Sequence, residues 1–218
     1  MVVNKFRMRS NIMTFNLSGM ECSAGILSVS LAKDLLRVHR NFLAVIVSRE
    51  LLNVNRYTGK DHSMLLTNCL FRTGRAAILL SSRDHDKRKA KYALQHLFRT
   101  NNAKDDQSYN CVFQDVESEM KFGVSISKDT VKVAGDALNT NIGSLGPLVL
   151  PFSEQFQYGV SIICRKMGIQ SRLSFYMPDF KKAFDHFCIH TGRRAIIRGI
   201  KKNLQLMDVD VEASKMTL

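Results

Sequence analysis

One of the cysteines, Cys22, lies where a thiol can act as a nucleophile. In the run FNLSGMECSAG (residues 15–25), an apolar, strand-like stretch at 12–17 stops at a glycine, and Cys22 then opens an amphipathic helix. The N-terminus of a helix carries partial positive charge and unpaired N–H groups, which favour the thiolate. Small residues at 23–25 leave room for a substrate. The alternative is a buried structural cysteine, the commoner role of this residue.

A second candidate, His190, lies far along the chain. The run DHFCIHTGRRA (residues 185–195) places it after a predicted short strand at 187–189 and before a glycine turn and a helix. Catalytic groups gather at strand ends in α/β folds, and a thiol and a histidine distant in sequence can meet in space. A capping role for His190 is the alternative. We assign no role to the remaining histidines, His39, His62, His85, His96 and His186.

The composition of this 218-residue chain indicates one large or two small folded domains, with 45% hydrophobic residues and 3 prolines. Its 5 cysteines show neither CxxC pairs nor zinc spacing. They therefore indicate reduced thiols and neither a disulfide framework nor a metal site. We expect no membrane span and no signal peptide, because no apolar run is long enough.

The net charge of +13 suggests an anionic partner. Nucleic acid is one reading, but the basic residues are spread along the chain and no nucleic-acid motif is visible. An anionic membrane face or a phosphate-bearing ligand such as coenzyme A is the other reading.

Hydrophobic spacing predicts alternating helices and strands, the pattern of the α/β class. The predicted helices are 23–39, 63–71 with Ser63 as the N-cap, 128–141, 153–167 and 194–204. The predicted strands are 42–48, 76–81, 92–100 and 187–189, with a hairpin of 110–114 and 122–127 across the acidic turn 115–119. Residues 49–61 and 143–151 are predicted loops, and the charged run 83–91 is the predicted domain boundary.

Four motifs resemble plant 3-ketoacyl-CoA synthases, the condensing enzymes of very-long-chain fatty acid elongation. They are NLSGMECSAG (16–25), SMLLTNCLFR (63–72), GPLVLP (146–151) and HFCIH (186–190), in the order that the family shows. The resemblance runs from about residue 1 to residue 218 and covers the middle of the family's length. We therefore expect a chain truncated at both ends.

The resemblance implies a thiolase-like α/β fold, in which two similar βαβαβαββ halves pack as αβαβα layers, and which is incomplete in this chain. Residues 1–88 would be the remnant of the N-terminal half, with the nucleophilic cysteine. Residues 89–218 would be the remnant of the C-terminal half, with the catalytic histidine.

The resemblance also implies a reaction, the decarboxylative condensation of long-chain acyl-CoA with malonyl-CoA. Cys22 matches the nucleophile that forms the acyl-enzyme, and His190 matches the histidine that supports decarboxylation and stabilises the enolate. No metal and no cofactor is implied, since both CoA thioesters are substrates. The third catalytic residue of the family, the asparagine of an RFGNTSS motif, is expected to be absent from this chain.

Partners and location follow from the same resemblance. It implies a homodimer that works with the other elongase subunits, the ketoacyl reductase, the dehydratase and the enoyl reductase, and no nucleic acid. It also implies the endoplasmic reticulum membrane, although we expect no transmembrane segment in this chain itself.

Three residues stand where the family usually has glycine: Glu21, Arg75 and Arg193. The carboxylate of Glu21 should raise the pKa of the neighbouring thiol. Arg193 would be strained if its turn needs a positive φ, and would obstruct the substrate if the backbone must approach it closely. Arg75 is expected to crowd the packing of a buried strand.

Together with the missing asparagine, these substitutions predict an impaired enzyme. One alternative is a catalytically inactive fragment or pseudoenzyme that pairs with an intact synthase. An alternative from another class is a basic nucleic-acid-binding protein, which explains the charge and none of the motifs.

Overall fold

Two compact units make up the chain in a computed structural model that describes residues 2–50, 56–117, 120–169 and 176–218. The first unit comprises Met1–Arg49 and Gly74–Ala93, and the second comprises Glu50–Thr73 and Leu94–Leu218. These units group residues by backbone proximity. The predicted division at 88/89 concerns the two halves of a family fold, and it stays a prediction.

The first unit is a helix packed on a β-ribbon. Its elements are α1 (Val2–Lys5), α2 (Ala24–Val38), β1 (Leu43–Arg49) and β2 (Arg75–Ser81), with short 3-10 turns at Glu21–Ser23 and Asp84–Asp86. The two strands are antiparallel, with Leu43 opposite Ser81. Helix α2 packs against both strands, so the predicted helix and both predicted strands are confirmed.

The burial predicted for β1 and β2 is wrong. Val45 and Leu79 lie opposite each other in the ribbon and are 55% and 64% exposed. Their neighbours Ala44 and Ile46 are half-buried. A two-stranded ribbon with a helix against it buries one face and leaves the other open, which apolar composition alone does not reveal.

The second unit is mainly helical. Its elements are α3 (His62–Leu70), α4 (Asp106–Asn110), β3 (Val112–Val116), β4 (Phe122–Ile126), α5 (Thr130–Val149), α6 (Phe152–Lys166), α7 (Arg194–Asn203) and α8 (Glu212–Met216). Strands β3 and β4 form the predicted antiparallel hairpin. Within its predicted turn, residues 118–119 lie outside the described residues.

Three predicted strands are wrong: residues 12–17, 92–100 and 187–189 have no regular secondary structure. A strand exists only where a neighbouring strand completes its hydrogen-bond ladder. No described strand pairs with any of these three segments. In the predicted loop 49–61, residues 56–60 are irregular as expected, and residues 51–55 lie outside the described part of the chain.

Helix α5 continues through a region predicted to be a loop. It reaches Val149 and contains Pro147 in its last turn. Gly146 is buried there, and a Cβ on it would lie 3.4 Å from Leu150 Cδ1 and 3.8 Å from Phe180 Cζ. Close packing against Phe180 therefore outweighs the weak helical preference of glycine and proline.

The start of α3 also differs from the prediction. The N-cap is Asp61, and not Ser63, because the Asp61 Oδ1 atom accepts a hydrogen bond of 2.8 Å from the Ser63 backbone N–H. That bond and the neighbouring Ser63 hydroxyl lower the pKa of the Asp61 carboxyl.

Tyr57 ties α3 to the β3–β4 hairpin. Its side chain is buried, and its hydroxyl donates to Glu117 Oε2 at 2.5 Å and accepts from the Asp61 N–H at 2.9 Å. A Cβ on Gly123 of β4 would lie 2.8 Å from the Tyr57 ring and 2.5 Å from Met64 Sδ. The hairpin can approach α3 this closely because residue 123 has no side chain.

A buried carboxylate fixes the segment that follows α6. The fully buried Glu154 accepts hydrogen bonds from the Tyr176 hydroxyl, from the Asp179 N–H at 2.8 Å and from Lys182 Nζ at 2.5 Å. The bonds from Lys182 and Tyr176 lower the pKa of Glu154 to about 2. Burial and the Glu154 carboxylate raise the pKa of Tyr176 to about 12. No helix in the described ranges is both long and apolar enough to cross a membrane.

Candidate functional site

Cys22 opens the helix that the sequence predicts. It lies in the 3-10 turn Glu21–Ser23, directly before α2, and is exposed. The Ser23 hydroxyl donates to the Met20 carbonyl at 2.6 Å and thereby closes this turn. The exposed thiol at a helix start fits a nucleophile and does not fit a buried structural cysteine.

Two glycines, Gly19 and Gly25, flank the turn that carries Cys22. Gly19 has a φ of +70°, in the left-handed region that favours glycine, so the turn before Cys22 depends on this residue type. A Cβ on Gly25 would meet nothing within 4 Å. The structure describes the backbone of Glu21 and not its side chain, so its effect on the thiol stays a prediction.

The other cysteines provide a comparison for Cys22. No disulfide joins the 5 cysteines, and Cys69 and Cys188 are also exposed. Burial raises the pKa of the Cys111 thiol. Exposure therefore does not single out Cys22, whereas its position directly before a 15-residue helix does. Among the residues that the structure describes, no group of three or more His, Cys, Asp or Glu side chains could hold a metal ion.

His190 is exposed and lies in the irregular segment before α7, and not at the end of a strand as predicted. Its imidazole ring lies against Gly192. A Cβ on residue 192 would be 3.0 Å from His190 Nε2 and 3.2 Å from Cδ2. The glycine after His190 therefore leaves space for the imidazole.

The segment that carries His190 is anchored by alternate residues. Phe187 and Ile189 are half-buried and pack on a core of Ile197, Leu206 and Val211, while Cys188 and His190 are exposed. The buried hydroxyl of Ser214 hydrogen-bonds this same segment. Sequence analysis missed Ser214, since a lone serine in a short helix gives no signal of its own.

The strain expected at Arg193 and the crowding expected at Arg75 are wrong, whereas obstruction of a substrate by Arg193 stays a prediction. Arg193 has a φ of −162° and a ψ of 135°, an extended conformation open to any residue, and its Nη1 atom donates to the Ser127 carbonyl at 3.2 Å. Arg75 is exposed and lies opposite Arg49 in the ribbon, so it crowds no core. Arg75 does not crowd its surroundings because the β1–β2 ribbon leaves one face exposed.

A basic cleft of about 620 Å³ lies in the second unit beside the start of α7. Leu66 and Leu70 of α3 form part of its apolar wall. Its arginines are Arg72, Arg193, Arg194 and Arg198. None of these four forms an ion pair with a described carboxylate. Apolar walls and guanidinium groups without a described carboxylate partner suit a ligand with both anionic and apolar parts.

Cys22 belongs to the first unit and His190 to the second. The structure describes each residue within its own unit. That the thiol and the imidazole meet at one site therefore stays a prediction.

Comparison with known proteins gives a consistent result. Residues 1–167 match the family described as FAE1/Type III polyketide synthase-like protein. The chain is 62% identical over 219 residues to the probable 3-ketoacyl-CoA synthase 21 of Arabidopsis thaliana, covering 100% of this chain and 47% of that protein. It is 52% identical over 218 residues to 3-ketoacyl-CoA synthase 9 of the same plant, covering 100% of this chain and 42% of that protein. The chain thus spans less than half the length of these relatives.

Solved structures show the same fold. The chain matches a fungal type III polyketide synthase with a TM-score of 0.63 and 16% identity, covering 100% of this chain and 54% of that one. It matches 1,3,6,8-tetrahydroxynaphthalene synthase of Streptomyces coelicolor with a TM-score of 0.58 and 15% identity, covering 96% of this chain and 50% of that one. The predicted thiolase-like α/β fold is confirmed, and the chain forms part of it.

Proposed function

Because this chain belongs to the FAE1/Type III polyketide synthase-like family, we propose that it acts in a 3-ketoacyl-CoA synthase that condenses long-chain acyl-CoA with malonyl-CoA. The observation that carries the proposal is the exposed Cys22 thiol at the start of α2. The names of the related plant synthases support the condensing chemistry.

The first proposed step is acylation of Cys22. The thiolate Sγ attacks the thioester carbonyl of the acyl-CoA, and coenzyme A leaves as its thiolate. The acyl group is then held on Cys22 as a new thioester. The partial positive charge at the start of α2 favours the attacking thiolate.

The second proposed step is decarboxylation and condensation. The bond between the carboxylate and C2 of malonyl-CoA breaks, carbon dioxide leaves, and the electron pair forms an enolate. The imidazole of His190 donates a hydrogen bond to the enolate oxygen. The C2 carbon then attacks the acyl carbonyl on Cys22 and displaces the thiolate. The product is a 3-ketoacyl-CoA two carbons longer, and no cofactor takes part.

The basic cleft supports a coenzyme A substrate. Phosphate groups form strong, often bidentate hydrogen bonds with guanidinium groups. Arg72, Arg194 and Arg198 provide such groups in the cleft. The apolar wall at Leu66 and Leu70 could accommodate less polar parts of the ligand. The high net charge therefore has an explanation within an acyl-CoA enzyme.

The proposal extends to organisation and assembly. Residues 1–88 and 89–218 would derive from the two halves of the thiolase-like fold. The exposed apolar face of the β1–β2 ribbon supports a homodimer or another covering partner. We also propose that the synthase works with the other elongase subunits at the endoplasmic reticulum membrane.

Acylation of Cys22 tests the proposed function. We expect intact-mass spectrometry after incubation with stearoyl-CoA to show one stearoyl adduct. Cys22→Ala should remove the adduct, and Cys188→Ala, which removes another exposed thiol, should retain it. An adduct that persists in Cys22→Ala would contradict the nucleophile assignment. No adduct on the folded wild type would favour an inactive chain that pairs with an intact synthase.

A further inference from the structure

The hydroxyl of Ser214 is buried in α8, with 3% of the residue exposed. It accepts a hydrogen bond of 2.8 Å from the Ile189 backbone N–H and donates one of 3.2 Å to the Phe187 carbonyl. Both partners lie within three residues of His190. A single side chain thus holds two backbone groups of the segment that carries the imidazole.

These two hydrogen bonds satisfy backbone groups that a neighbouring strand would otherwise pair with. The segment from Phe187 to His190 alternates half-buried and exposed residues like a strand, yet no described strand pairs with it. A backbone N–H left without a partner near the core would be costly. Ser214 supplies the missing donor and acceptor, and so fixes the register of this segment.

The packing around Ser214 makes the contact local and rigid. Phe187 and Ile189 pack on the core of Ile197, Leu206 and Val211, and Val211 lies just before α8. Gly192 has no side chain, so it leaves space for the His190 imidazole. A shift of the Ile189 N–H moves the next residue, His190, because the two share a peptide bond.

We propose that Ser214 is the positioning residue for His190. Its hydroxyl holds the backbone on the N-terminal side of His190, so that the imidazole projects from the core in one orientation against Gly192. The inference rests on the proposed function in one respect, since His190 must act on the enolate for its orientation to affect the rate.

Ser214→Ala tests the proposal in the intact protein. We expect decarboxylation of malonyl-CoA to fall on the order of 10- to 100-fold, the usual effect of misplacing a catalytic group by about 1 Å. Acylation of Cys22 should be unchanged, because it does not use His190. Ser214→Thr keeps the hydroxyl and should restore most of the rate.

Thr217→Val provides a matched control on the same helix end. The Thr217 hydroxyl donates only to carbonyls of its own helix, those of Ala213 at 3.1 Å and Ser214 at 3.2 Å. We expect this variant to decarboxylate malonyl-CoA at the wild-type rate. A loss equal to that of Ser214→Ala would mean a general effect on α8 and would overturn the proposal.

A spectroscopic measurement separates the position of the ring from its activity. In protein labelled at histidine and glycine, we expect a nuclear Overhauser effect between the His190 ring and the Gly192 α-protons. It should be lost in Ser214→Ala and kept in Ser214→Thr and Thr217→Val. An unchanged signal and an unchanged rate in Ser214→Ala would overturn the positioning role.

An active His190→Ala variant and an unfolded Ser214→Ala variant are two further outcomes that need separate tests. If His190→Ala decarboxylates malonyl-CoA at the wild-type rate, the proposed role of His190 fails, while the ring signal still decides the role of Ser214. If Ser214→Ala does not fold, Ser214→Cys replaces it, because the thiol has similar size and bonds more weakly. An intermediate loss of signal and rate then supports the proposal, and no loss contradicts it.

Discussion

The imidazole of His190 lies where a side chain on residue 192 would begin. A Cβ on residue 192 would lie 3.0 Å from Nε2 and 3.2 Å from Cδ2 of His190. These distances are below ordinary van der Waals separation, so the ring occupies the space that a side chain would need. A side chain at residue 192 would therefore displace the proposed catalytic imidazole by a few tenths of an ångström.

Gly192→Ala should therefore rotate the His190 ring and leave the fold intact. We expect the rate of malonyl-CoA decarboxylation to fall about tenfold or more. Far-ultraviolet circular dichroism should be unchanged, because the ring is exposed and free to turn away. Gly199→Ala is the control, since its added Cβ would lie 3.5 Å from Val131 Cγ1, an ordinary contact. Equal rates in the two variants would show that the orientation of the ring is unimportant.

Arg193→Gly tests whether the backbone at residue 193 is strained. Its φ of −162° predicts no relief of strain, and the variant loses the hydrogen bond from Nη1 to the Ser127 carbonyl. We expect the free energy of unfolding to fall by about 1 kcal/mol. Arg193→Ala separates the backbone effect from the lost bond. A glycine variant more stable than the wild type would contradict this expectation.

We expect the region around the buried Glu154 carboxylate to lose stability in acid. The folded-state pKa of about 2 lies below the ordinary value of 4.5, so its stabilisation is fully present above about pH 5. It should decline as the pH falls from about 5 towards 2. Hydrogen exchange of the α6 amides, corrected for intrinsic rates, measures this loss.

Two variants at residue 154 complete that measurement. Glu154→Gln keeps the volume without a titrating group, so protection of α6 should no longer change over this pH range. Glu154→Ala leaves the Tyr176 hydroxyl and the Asp179 N–H without their acceptor and should cost about 2 kcal/mol. The same acid dependence in Glu154→Gln and the wild type would assign the effect to another group.

Glu21→Gln should make the Cys22 thiol more reactive. A carboxylate on the residue before the proposed nucleophile should oppose formation of the thiolate, and the amide removes that charge. We expect iodoacetamide to alkylate Cys22 several-fold faster at neutral pH, followed by peptide mass spectrometry. Asp34→Asn, which removes an exposed carboxylate further along α2, should leave the rate unchanged. Equal rates in Glu21→Gln and the wild type would contradict this electrostatic effect.

Local signals in the sequence predicted the helices best. The helix after Cys22, the β3–β4 hairpin and the helices near residues 153–167 and 194–204 all form where apolar spacing places them. Their periodicity arises within one segment, so no distant partner is needed to recognise it.

Features that depend on distant partners were not predictable in the same way. The 187–189 segment has the composition of a strand, yet its hydrogen bonds go to Ser214, 25 residues away from Ile189. The predicted loop 143–151 contains helix-breaking residues, yet packing of Gly146 near Phe180 extends α5. For the site, Cys22 and His190 followed from motifs, whereas Ser214 and the arginines of the cleft emerged only from the folded structure.

Product analysis tests the central claim most directly. The intact protein is incubated with stearoyl-CoA and malonyl-CoA labelled with carbon-13 at C2, and the thioesters are analysed by mass spectrometry. We predict a labelled 3-ketoacyl-CoA two carbons longer than the primer from the wild type, formed slowly because a carboxylate at residue 21 should disfavour the Cys22 thiolate, and none from Cys22→Ala or His190→Ala. Formation of that product by Cys22→Ala, or its absence while Cys22 is fully acylated in the wild type, would contradict the account.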